Sequence, residues 1–331
     1  MEAILAAELP AGDGWQYEPK WDGFRCLARR DGSEVELISK SGKPLARYFP
    51  DLVDLLSRLK AKHFLLDGEI VIPAGDALSF EALQLRLHPA ESRVRKLAVE
   101  TPAEYVLFDL LELDGQTLAD MAQHDRRSAL EKLFARMKVP GLRLSPATTD
   151  RSSAQRWLDR SGGALDGVIA KRLDLAYRSG ERAMVKVKQL RSADCVVGGF
   201  RYGSKSREVG SLLLGLYDER GLLDHVGFTS AIPAADRPEL TRRLEALEGG
   251  SGFTGKAPGG PSRWSTDRSA IWVPLKPELV VEVRYDQVTA RRFRHGTALL
   301  RWRPDKDPRQ CTFDQLAPAL KPSQLAELFS G

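Results

Sequence analysis

Helix and strand patterns are interspersed in the first 190 residues of the chain. Two short runs, 24–27 and 34–38, flank a polar turn at 30–33 and predict a β-hairpin. Residues 50–62 carry leucines on one helical face, which predicts an amphipathic helix. Short apolar or alternating runs predict strands at 64–72, 105–111, 166–172 and 183–188. Further helices are predicted at 79–87, 118–137 and 152–161. These elements favour an α+β fold for this part of the chain.

The pattern changes near residues 189–194, after which short strands predominate. Strands are predicted at 195–202, 210–217, 222–229, 280–288 and 299–303, with one helix at 236–247. Five short strands with one interposed helix suit an OB-type β-barrel. The 331 residues exceed what one core usually serves, so we expect two domains, 1–190 and 191–331. The Gly- and Pro-rich stretch 249–263 predicts a long mobile loop, a candidate clamp on a bound partner.

Composition narrows the class of protein. Hydrophobic residues make up 42% and charged residues 29%, as in ordinary globular domains. The net charge of +5 suits a polyanionic partner but does not demand one. The three cysteines form no CxxC pair, which argues against a zinc ribbon or finger. Because we find no secretory signal and no long apolar run, we expect a cytoplasmic protein with reduced thiols and no membrane span.

A lysine in the stretch 18–25, Glu-Pro-Lys-Trp-Asp-Gly-Phe-Arg, is the first candidate for chemistry. Most lysines are solvated surface residues, but Pro19 biases Glu18 toward an extended backbone. The hairpin that follows then places Lys20 at the mouth of a sheet, where its side chain can point into a cleft. A lysine that is partly desolvated and close to other cations can lose its proton and act as a nucleophile.

Acids and further lysines interrupt other apolar runs. Asp67 and Glu69 lie inside the predicted strand 64–72, where they mark either a turn or carboxylates placed in a cleft. The alternation in the last predicted strand of the first domain puts Lys186 and Lys188 on one face. Each of these features is common by itself, so their order along the chain matters more than any one of them.

The ordered combination resembles the covalent nucleotidyltransferase superfamily, which contains polynucleotide ligases and messenger-RNA capping enzymes. In chain order it consists of Lys20-x-Asp22-Gly23-x-Arg25, Asp67-Gly68-Glu69, residues 105–109, Asp166-Gly167 with Lys171, Lys186-x-Lys188 and Arg301-x-Arg303-x-Asp305-Lys306. The details are most similar to bacterial ATP-dependent DNA ligases of the LigC type and to the ligase domain of LigD. The resemblance extends from about residue 7 to residue 316, and the stretch 186–195 is especially similar to LigC.

This resemblance implies an adenylation domain (nucleotidyltransferase, ATP-grasp-like) followed by an OB-fold β-barrel domain that closes over ATP. Lys20 would attack the α-phosphate of ATP, giving a lysine–AMP phosphoramidate and pyrophosphate. The AMP would then pass to the 5′-phosphate at a nick in duplex DNA, and the 3′-OH would displace it and seal the strand. We therefore expect ATP and Mg²⁺ or Mn²⁺ as cofactors, and a role in DNA repair.

The resemblance also assigns roles to individual residues. Lys186 and Lys188 would grip the α-phosphate region, while Glu69 and Asp166 would bind ribose hydroxyls and the divalent metal. The other implied contacts are Glu18 at the adenine edge, Phe108 stacked on adenine, Arg25 at ribose or phosphate oxygens, Lys40 at the 5′-phosphate of the nick, and Arg301, Arg303, Asp305 and Lys306 at the leaving pyrophosphate. Two positions depart from the family pattern: Asp166 replaces a glutamate, and Met184 replaces a frequent aromatic residue.

Basic residues in the second domain predict contact with DNA phosphates rather than with bases. Residues 284–303 contain six arginines interleaved with aromatic residues, which favours phosphate contact over a merely solvated hairpin. The candidates are Arg291, Arg292 and Arg294, with Arg201 and Lys205 in an earlier turn. The expected partner is nicked double-stranded DNA, bound by a monomer at the nucleoid. The resemblance also suggests a Ku-type end-joining protein or a primase-type polymerase as partners.

Other functions stay open on the sequence alone. An RNA ligase or an RNA-capping guanylyltransferase would use the same lysine, and the full second domain argues only against the small RNA ligases. An OB-fold DNA-binding protein with an inactive nucleotidyltransferase domain is disfavoured, because Lys20 and the other motif residues are intact. An NAD-dependent ligase is also disfavoured, because no zinc-finger cysteines or helix-hairpin-helix repeats follow the OB region.

Overall fold

The computed structural model describes residues 1–331 except 75–76, 138, 162–164, 205, 260–270, 290, 295 and 317–331. Contacts divide the chain into two compact units, Met1–Gln189 and Leu190–Pro318. Each unit has its own hydrophobic core. The chain combines helices and strands, so the predicted α+β class is confirmed.

The first unit carries most of the helices. Its strands are β1 (Ala3–Ala6), β2 (Trp15–Trp21), β3 (Phe24–Asp31), β4 (Glu34–Ser39), β5 (His63–Val71), β6 (Pro73–Ala74), β7 (Ala77–Leu78), β8 (Glu104–Leu113), β9 (Gln116–Thr117), β10 (Leu142–Leu144), β11 (Leu165–Arg172) and β12 (Met184–Val187). Its helices are α1 (Pro50–Ser57), α2 (Phe80–Leu85), α3 (Glu91–Glu100), α4 (Gln123–Met137) and α5 (Arg151–Asp159), with a 3-10 turn at Ala46–Tyr48. None of the described helices combines the length and apolar character needed to cross a bilayer.

Two main sheets form the first unit. One has the strand order β1-β12-β11-β2, and the other has the order β10-β8-β5-β3-β4, with β9 paired to β8. Because β2 and β3 belong to different sheets, the chain crosses between the sheets at Asp22 and Gly23. A Cβ at Gly23 would lie 2.2 Å from the carbonyl oxygen of Ile70, so the crossing requires glycine. Lys20 therefore lies at the end of β2, where the chain leaves the first sheet.

Helix α1 is shorter than the sequence pattern predicts. It ends at Ser57 rather than at residue 62. Arg30, a buried residue of β3, donates from Nη1 to the carbonyls of Leu56 (2.9 Å) and Leu59 (2.7 Å). These bonds satisfy one carbonyl in the last helical turn and one just beyond the helix. The chain can therefore leave the helix at Ser57 although the leucine spacing continues.

Helices α3 and α4 also differ from what the hydrophobic pattern of the sequence predicts. α4 begins at Gln123 rather than at residue 118, because the N–H of Leu118 donates to the carbonyl of Leu111 in β8 (2.8 Å) and extends the sheet. α3 was not predicted at all. Only Val94 on this helix is buried, so the helix lacks the apolar face by which such elements are recognised.

The second unit is built around one sheet. Its elements are β13 (Arg191–Tyr202), β14 (Val209–Tyr217), β15 (Leu223–Thr229), α6 (Arg237–Glu245), β16 (Val273–Pro274), β17 (Val280–Tyr285), β18 (Val288–Thr289), β19 (Arg292–Phe293) and β20 (Ala298–Trp302). The sheet order is β15-β14-β13-β17-β20, with β16 on β13. In the described residues this path is open, although Thr229 and Thr297 form an isolated bridge between its ends. Closure into a barrel therefore stays a prediction.

The Gly- and Pro-rich stretch follows α6. Its described part, 249–259, packs on the sheet of the second unit. Phe253 is buried in the core and fills the space beside Gly198. The N–H of Lys256 donates to Asp224 Oδ1 (2.7 Å), and the N–H of His225 donates to the carbonyl of Lys256 (2.8 Å). This part of the stretch is a loop, as predicted, and Phe253 anchors it to the core. Its mobility and its role as a clamp stay predictions. Residues 260–263 lie outside the described residues.

Candidate active site

A cavity of about 280 Å³ lies between the two sheets of the first unit. This volume is at the lower end of the range of small-molecule sites. Both sheets and two loops contribute to its lining, which consists of Glu2, Ala3, Glu18, Pro19, Lys20, Trp21, Arg25, Lys40, Glu69, Phe108, Ile169, Lys171, Met184 and Lys186. The fold thus gathers most of the predicted nucleotide-site residues of the first domain around one space.

Lys20 lines this cavity and forms an ion pair with Oδ2 of Asp166. The same oxygen lies 3.0 Å from Nζ of Lys188. The Lys20 side chain is 25% exposed, whereas that of Asp166 is only 7% exposed. A single buried carboxylate oxygen therefore contacts two ammonium groups, one of which is the predicted nucleophile.

Gly167 sets the position of Asp166. Its φ is +130°, and a Cβ there would lie 2.0 Å from the carbonyl oxygen of Val187. Any side chain at this position would push β11 away from β12, so the close approach of the two strands depends on glycine. The approach brings Asp166 next to Lys188, the first residue after β12.

Lys186 is surrounded by positive charge. Burial lowers its pKa, and Lys20, Lys188 and Lys40 lower it further, while Asp166 opposes them. Lys20, Lys40 and Lys186 line the cavity, and Lys188 lies next to Asp166. This cluster of lysines suits the phosphates of a nucleotide.

The prediction that Lys186 and Lys188 share a strand face is wrong in one respect. β12 ends at Val187, so Lys188 lies beyond the strand and contacts Asp166. Lys186 and Met184 line the cavity, as the alternation of a strand requires.

Glu69 lies in the cavity wall on the opposite sheet. The N–H of Gly23 donates to its Oε1 at 3.1 Å. Burial raises the pKa of Glu69 to about 8, although Lys20 and Arg25 act in the opposite direction. A carboxyl group with so perturbed a pKa, close to a lysine and inside a cavity, is typical of a functional site.

The apolar end of the cavity is formed around Phe108. Nζ of Lys171 lies 5.0 Å from the centre of its ring, and Cζ of Arg25 lies 5.7 Å from it. Trp21 and Ile169 also line the cavity. An aromatic face with apolar neighbours can stack against a flat heterocyclic base.

Glu18 and Lys171 form a fully buried ion pair next to that ring. The Glu18 Oε1 to Lys171 Nζ distance is 2.9 Å, and each side chain is 3% exposed. Lys171 also donates to the carbonyl of Phe108 (3.2 Å), and Gln16 Nε2 donates to Glu18 Oε1 (2.7 Å). The carboxylate of Glu18 is therefore engaged within the wall, and its contact with adenine stays a prediction.

Arg25 is held from behind the cavity by Asp67. Its Nε and Nη2 donate to the two oxygens of this buried carboxylate at 3.1 and 2.7 Å, and its Nη1 donates to the carbonyl of Met1 at 2.5 Å. The hydroxyl of Tyr177 donates to Asp67 Oδ2 at 2.8 Å. β5 runs unbroken through Asp67 and Glu69, so the turn considered from the sequence does not form there.

A second, larger space adjoins the cavity. This groove of about 1,050 Å³ shares Glu2, Arg25, Lys40 and Glu69 with it. The remaining groove lining is Gly23, Phe24, Ser39, Ser41, Lys43, Pro44, Leu45, Arg47, Tyr48 and Leu87. Lys40 is more than half exposed and lies 3.6 Å from Glu2. The groove therefore continues from the cavity toward residues with basic and hydroxyl side chains.

In the second unit, Asp194 gathers the basic residues of the predicted pyrophosphate motif. Arg303 Nη1 donates to both Asp194 oxygens at 2.9 and 3.1 Å, and Lys306 Nζ lies 3.3 Å from Oδ2. Arg303 also binds Asp305 through Nη2 at 2.9 Å. Arg301 binds Glu282 instead (2.6 Å). The role of these residues at the pyrophosphate stays a prediction.

The arginines predicted to bind DNA differ in their surroundings. Arg291 lies over the ring of Phe313 at 3.8 Å, and Arg294 donates to Gln287 Oε1 at 2.9 Å. Arg292 lies 3.2 Å from Nδ1 of His225. Burial together with Arg292 and Arg201 lowers the pKa of His225 to about 3, so this histidine is neutral and can accept the bond.

Arg201 lies in the same region of the second unit. Burial lowers its pKa, and nearby Arg292 lowers it further. Two arginines that repel each other favour a bound anion between or beside them. Lys205, the remaining candidate, lies outside the described residues.

Two carboxylates of the first unit could hold a divalent metal at the cavity. Asp166 contacts Lys20 directly, and Glu69 lines the same cavity. Both are hard oxygen donors of the kind that Mg²⁺ prefers. No group of three or more possible ligands occurs in the described parts of the chain. These residues fit a metal that takes its other ligands from substrate phosphates and water, as Mg²⁺ commonly does.

Sequence reasoning missed several residues of the site. Lys171 was noticed as part of a motif, but no role was assigned to it. It follows Ile169 by two positions on β11 and so shares its strand face, but only the structure shows that this face lines the cavity. Tyr177 and Glu2 carry no signal in the sequence pattern. They reach the site from a loop and from the N-terminal segment, through contacts distant in sequence.

Comparison with known proteins agrees with this geometry. Residues 4–188 match the family model for the ATP dependent DNA ligase domain, and residues 205–306 match the model for the ATP dependent DNA ligase C terminal region. The chain therefore belongs to the family of ATP-dependent DNA ligases. Membership in this family implies the use of ATP and a DNA substrate.

Within the family, the chain is similar to mycobacterial DNA ligases of the C type. DNA ligase C2 of Mycolicibacterium smegmatis is 49% identical over 319 residues, covering 92% of this chain and 90% of that protein. DNA ligase C of Mycobacterium tuberculosis is 45% identical over 317 residues, covering 91% and 88%. The multifunctional non-homologous end joining protein LigD of Pseudomonas aeruginosa is 33% identical over 321 residues, but these cover only 36% of its length.

A solved structure of a Lig E DNA ligase shares the fold. It aligns with a TM-score of 0.54 and 18% identity, covering 92% of this chain and all of that one. At this identity the likeness concerns the fold alone.

Proposed function

We propose that Lys20 is the nucleophile that takes AMP from ATP and passes it to the 5′-phosphate of a nick in duplex DNA. The observation that carries this proposal is the position of Lys20 in a cavity lined by further lysines and by the ring of Phe108. A nucleotide offers a matching pair of groups, a polyanionic tail for the lysines and a flat base for the ring. The chain's place among ATP-dependent DNA ligases supports the assignment.

At the phosphate end, Lys20 must lose a proton and leave Asp166 before its nitrogen can attack phosphorus. Lys186 and Lys188 remain as cations for the phosphate oxygens, and their charge stabilises the negative charge that develops there. A divalent metal held by Asp166 and Glu69 would supply further charge stabilisation at the same oxygens.

At the base end, we propose that adenine lies against Phe108. Lys171 and Glu18 would then set the polar edge of the pocket, with Arg25 near the ribose. The bidentate grip of Asp67 on Arg25 fixes the guanidinium plane, so the pocket is ordered before a nucleotide enters.

We propose that the groove receives the DNA strand that carries the 5′-phosphate. Lys40 lines both spaces, so a phosphate bound there would lie between the DNA strand and the lysine–AMP. Lys43, Arg47 and the hydroxyls of Ser39 and Ser41 would contact the backbone without reading bases.

The second unit would add phosphate contacts through Arg201, Lys205, Arg291, Arg292 and Arg294. We propose that this unit is an OB-fold domain beginning near residue 191. Its antiparallel five-strand path with one helix supports this assignment. Arg301, Arg303, Asp305 and Lys306 keep their proposed role at the pyrophosphate.

Nucleotide labelling tests the proposal against capping or RNA joining. The protein is incubated with ATP or GTP and analysed by peptide mass spectrometry, and sealing is then compared on nicked DNA and nicked RNA duplexes. We expect AMP on Lys20 and sealing of nicked DNA. GMP on Lys20 without AMP would instead make the chain a guanylyltransferase, and sealing of nicked RNA alone would make it an RNA ligase.

The biological setting is a further part of the proposal. The LigD relatives are named for non-homologous end joining, which supports a repair role beside a Ku-type protein or a primase-type polymerase. We propose that the chain works as a monomer on chromosomal DNA at the nucleoid. Co-purification from cells with and without induced strand breaks would test these partners.

A further inference from the structure

Arg86 connects the segments that carry Arg47, Tyr48 and Leu87, which line one part of the groove. It directly follows α2 and is fully buried, with 0% of its side chain exposed. Its Nε donates to the carbonyl of Tyr48 (3.1 Å), and its Nη1 donates to the carbonyl of Thr101 (3.2 Å). Nη1 and Nη2 grip the two oxygens of Asp51 at 3.3 and 2.5 Å. One guanidinium thus joins the 3-10 turn, the start of α1 and the end of α3.

A second arginine, on the 3-10 turn, reaches back to the segment that carries Arg86. Arg47, in the 3-10 turn, donates from Nη2 to the carbonyl of Pro89, three residues after Arg86 (3.0 Å). Its guanidinium lies over the ring of Tyr48 at 5.0 Å. The two arginines therefore cross-link the turn at Ala46–Tyr48 to the segment 86–89, and Arg47, Tyr48 and Leu87 of these segments line the groove.

Asp51 ties a further segment to the guanidinium of Arg86. It accepts the Ala103 N–H at 2.7 Å as well as the Arg86 fork, so the start of β8 is tied to the same point. The guanidinium also lies 5.0 Å from the ring of Phe49, a fully buried core residue. Arginine offers a planar fork of donors that a lysine cannot reproduce, so Arg86 is suited to hold several segments at fixed angles.

None of these residues lines the nucleotide cavity. We infer that Arg86 is a positioning residue for DNA, which fixes the Arg47–Tyr48 wall of the groove and so sets affinity for the nicked strand without affecting the reaction of Lys20 with ATP. This inference rests on the proposed function of the groove. To the residues proposed to contact DNA it adds Arg86, a buried residue that would touch neither nucleotide nor DNA.

The chain offers a matched control in Arg30. It is also buried, at 3% exposed, and its guanidinium also binds backbone carbonyls around α1, those of Leu56 and Leu59 at the other end of the helix. It lines neither the cavity nor the groove. Arg30→Lys therefore removes a comparable buried guanidinium that binds the other end of α1, and it leaves the residues that line the groove unchanged.

The test compares Arg86→Lys, Arg30→Lys and Lys43→Ser in the full chain. The rate of AMP transfer to Lys20 and the KM and kcat for nicked DNA are measured for each variant, together with thermal unfolding. We expect Arg86→Lys to raise the KM for nicked DNA by about tenfold, since small misplacements of binding groups have effects of this size. AMP transfer to Lys20 should stay within about twofold, and Arg30→Lys should change neither quantity beyond that. Arg86→Gln should resemble Arg86→Lys in its KM.

The outcomes separate this inference from the proposed function. If Lys43→Ser raises the KM and Arg86→Lys does not, Arg86 is not a positioning residue. If Arg30→Lys raises the KM as much as Arg86→Lys, the effect is one of general stability and the inference also fails. If neither Lys43→Ser nor Arg86→Lys changes the KM, the groove does not bind the DNA strand and the proposed function of the groove fails.

Discussion

Lys20 and Lys188 contact the same oxygen of one carboxylate, Oδ2 of Asp166, at which Lys188 lies 3.0 Å away. The carboxylate holds two cations together that would otherwise repel each other. In the proposed reaction, it is also the group that Lys20 must leave before it attacks ATP. Asp166 therefore holds the proposed nucleophile and Lys188 side by side at the cavity.

The first prediction concerns Asp166 itself. Asp166→Asn keeps the shape of the side chain but removes its charge, so AMP transfer to Lys20 should fall by about 100-fold, as for loss of a charged group at a reacting centre. Asp166→Glu introduces the residue expected from the family pattern and should stay within about tenfold of the unchanged protein. Rapid-quench measurement of AMP transfer checks both variants. Full activity of Asp166→Asn would remove Asp166 from the reaction.

The second prediction concerns the pH dependence of stability caused by Glu69. Its pKa is about 8 in the folded protein against an ordinary 4.5. Between these values the folded state holds more protons than the unfolded state, so the contribution of Glu69 to stability is lost as the pH rises. Glu69→Gln should therefore gain stability relative to the unchanged protein between about pH 5 and pH 8. Urea unfolding at several pH values measures this difference.

Glu34→Gln, on the exposed β3–β4 hairpin, is the control for the same measurement. It replaces a carboxyl group that lies away from the cavity. Its stability relative to the unchanged protein should not drift with pH in the same way. An equal drift in both variants would show that burial of Glu69 is not the cause.

A third prediction follows from the buried pair of Glu18 and Lys171. Lys171→Met leaves the Glu18 carboxylate buried, with Gln16 as its remaining side-chain donor among the described residues, which should cost about 3–5 kcal/mol of unfolding free energy. The double variant Lys171→Met with Glu18→Gln removes both charges and should recover most of this loss. Denaturant unfolding measures all three proteins. A double variant as unstable as Lys171→Met would mean that packing, not charge, governs the site.

The hydroxyl of Tyr177 provides a fourth prediction. It donates to the buried carboxylate of Asp67 at 2.8 Å, and a hydrogen bond to a charged group is worth about 2 kcal/mol. Tyr17→Phe is a suitable comparison, since the hydroxyl of Tyr17 donates to a neutral acceptor, the carbonyl of Pro10, at 2.7 Å. Tyr177→Phe should therefore destabilise the protein about twice as much as Tyr17→Phe. Equal losses would contradict the charged partner assigned to Tyr177.

Much of the fold could be predicted from local patterns. The apolar run at residues 64–72 predicts β5, which forms at His63–Val71, and the turn at 30–33 predicts the β3–β4 hairpin. Helix ends were less predictable, because they depend on partners far along the chain, as Arg30 shows for α1. α3 could not be predicted, because a helix with a single buried residue has no pattern to recognise.

The candidate site divides in the same way. The motif around Lys20 and the acids at 69 and 166 could be singled out from the sequence, and the fold places all three at one cavity. What surrounds them could not be predicted. The grip of Asp67 on Arg25 depends on cross-strand register, and the contact of Lys188 with Asp166 depends on the close approach of β11 and β12 at Gly167.

The most direct test of the central claim is a single-turnover chase. The protein is loaded with labelled ATP, free nucleotide is removed, and nicked DNA is added without further ATP. The account predicts that label leaves Lys20, appears first on the DNA 5′-phosphate and then as free AMP, with about one nick sealed for each labelled protein. Lys20→Ala should carry no label and seal nothing. Sealing by Lys20→Ala, or label on another residue, would contradict the account.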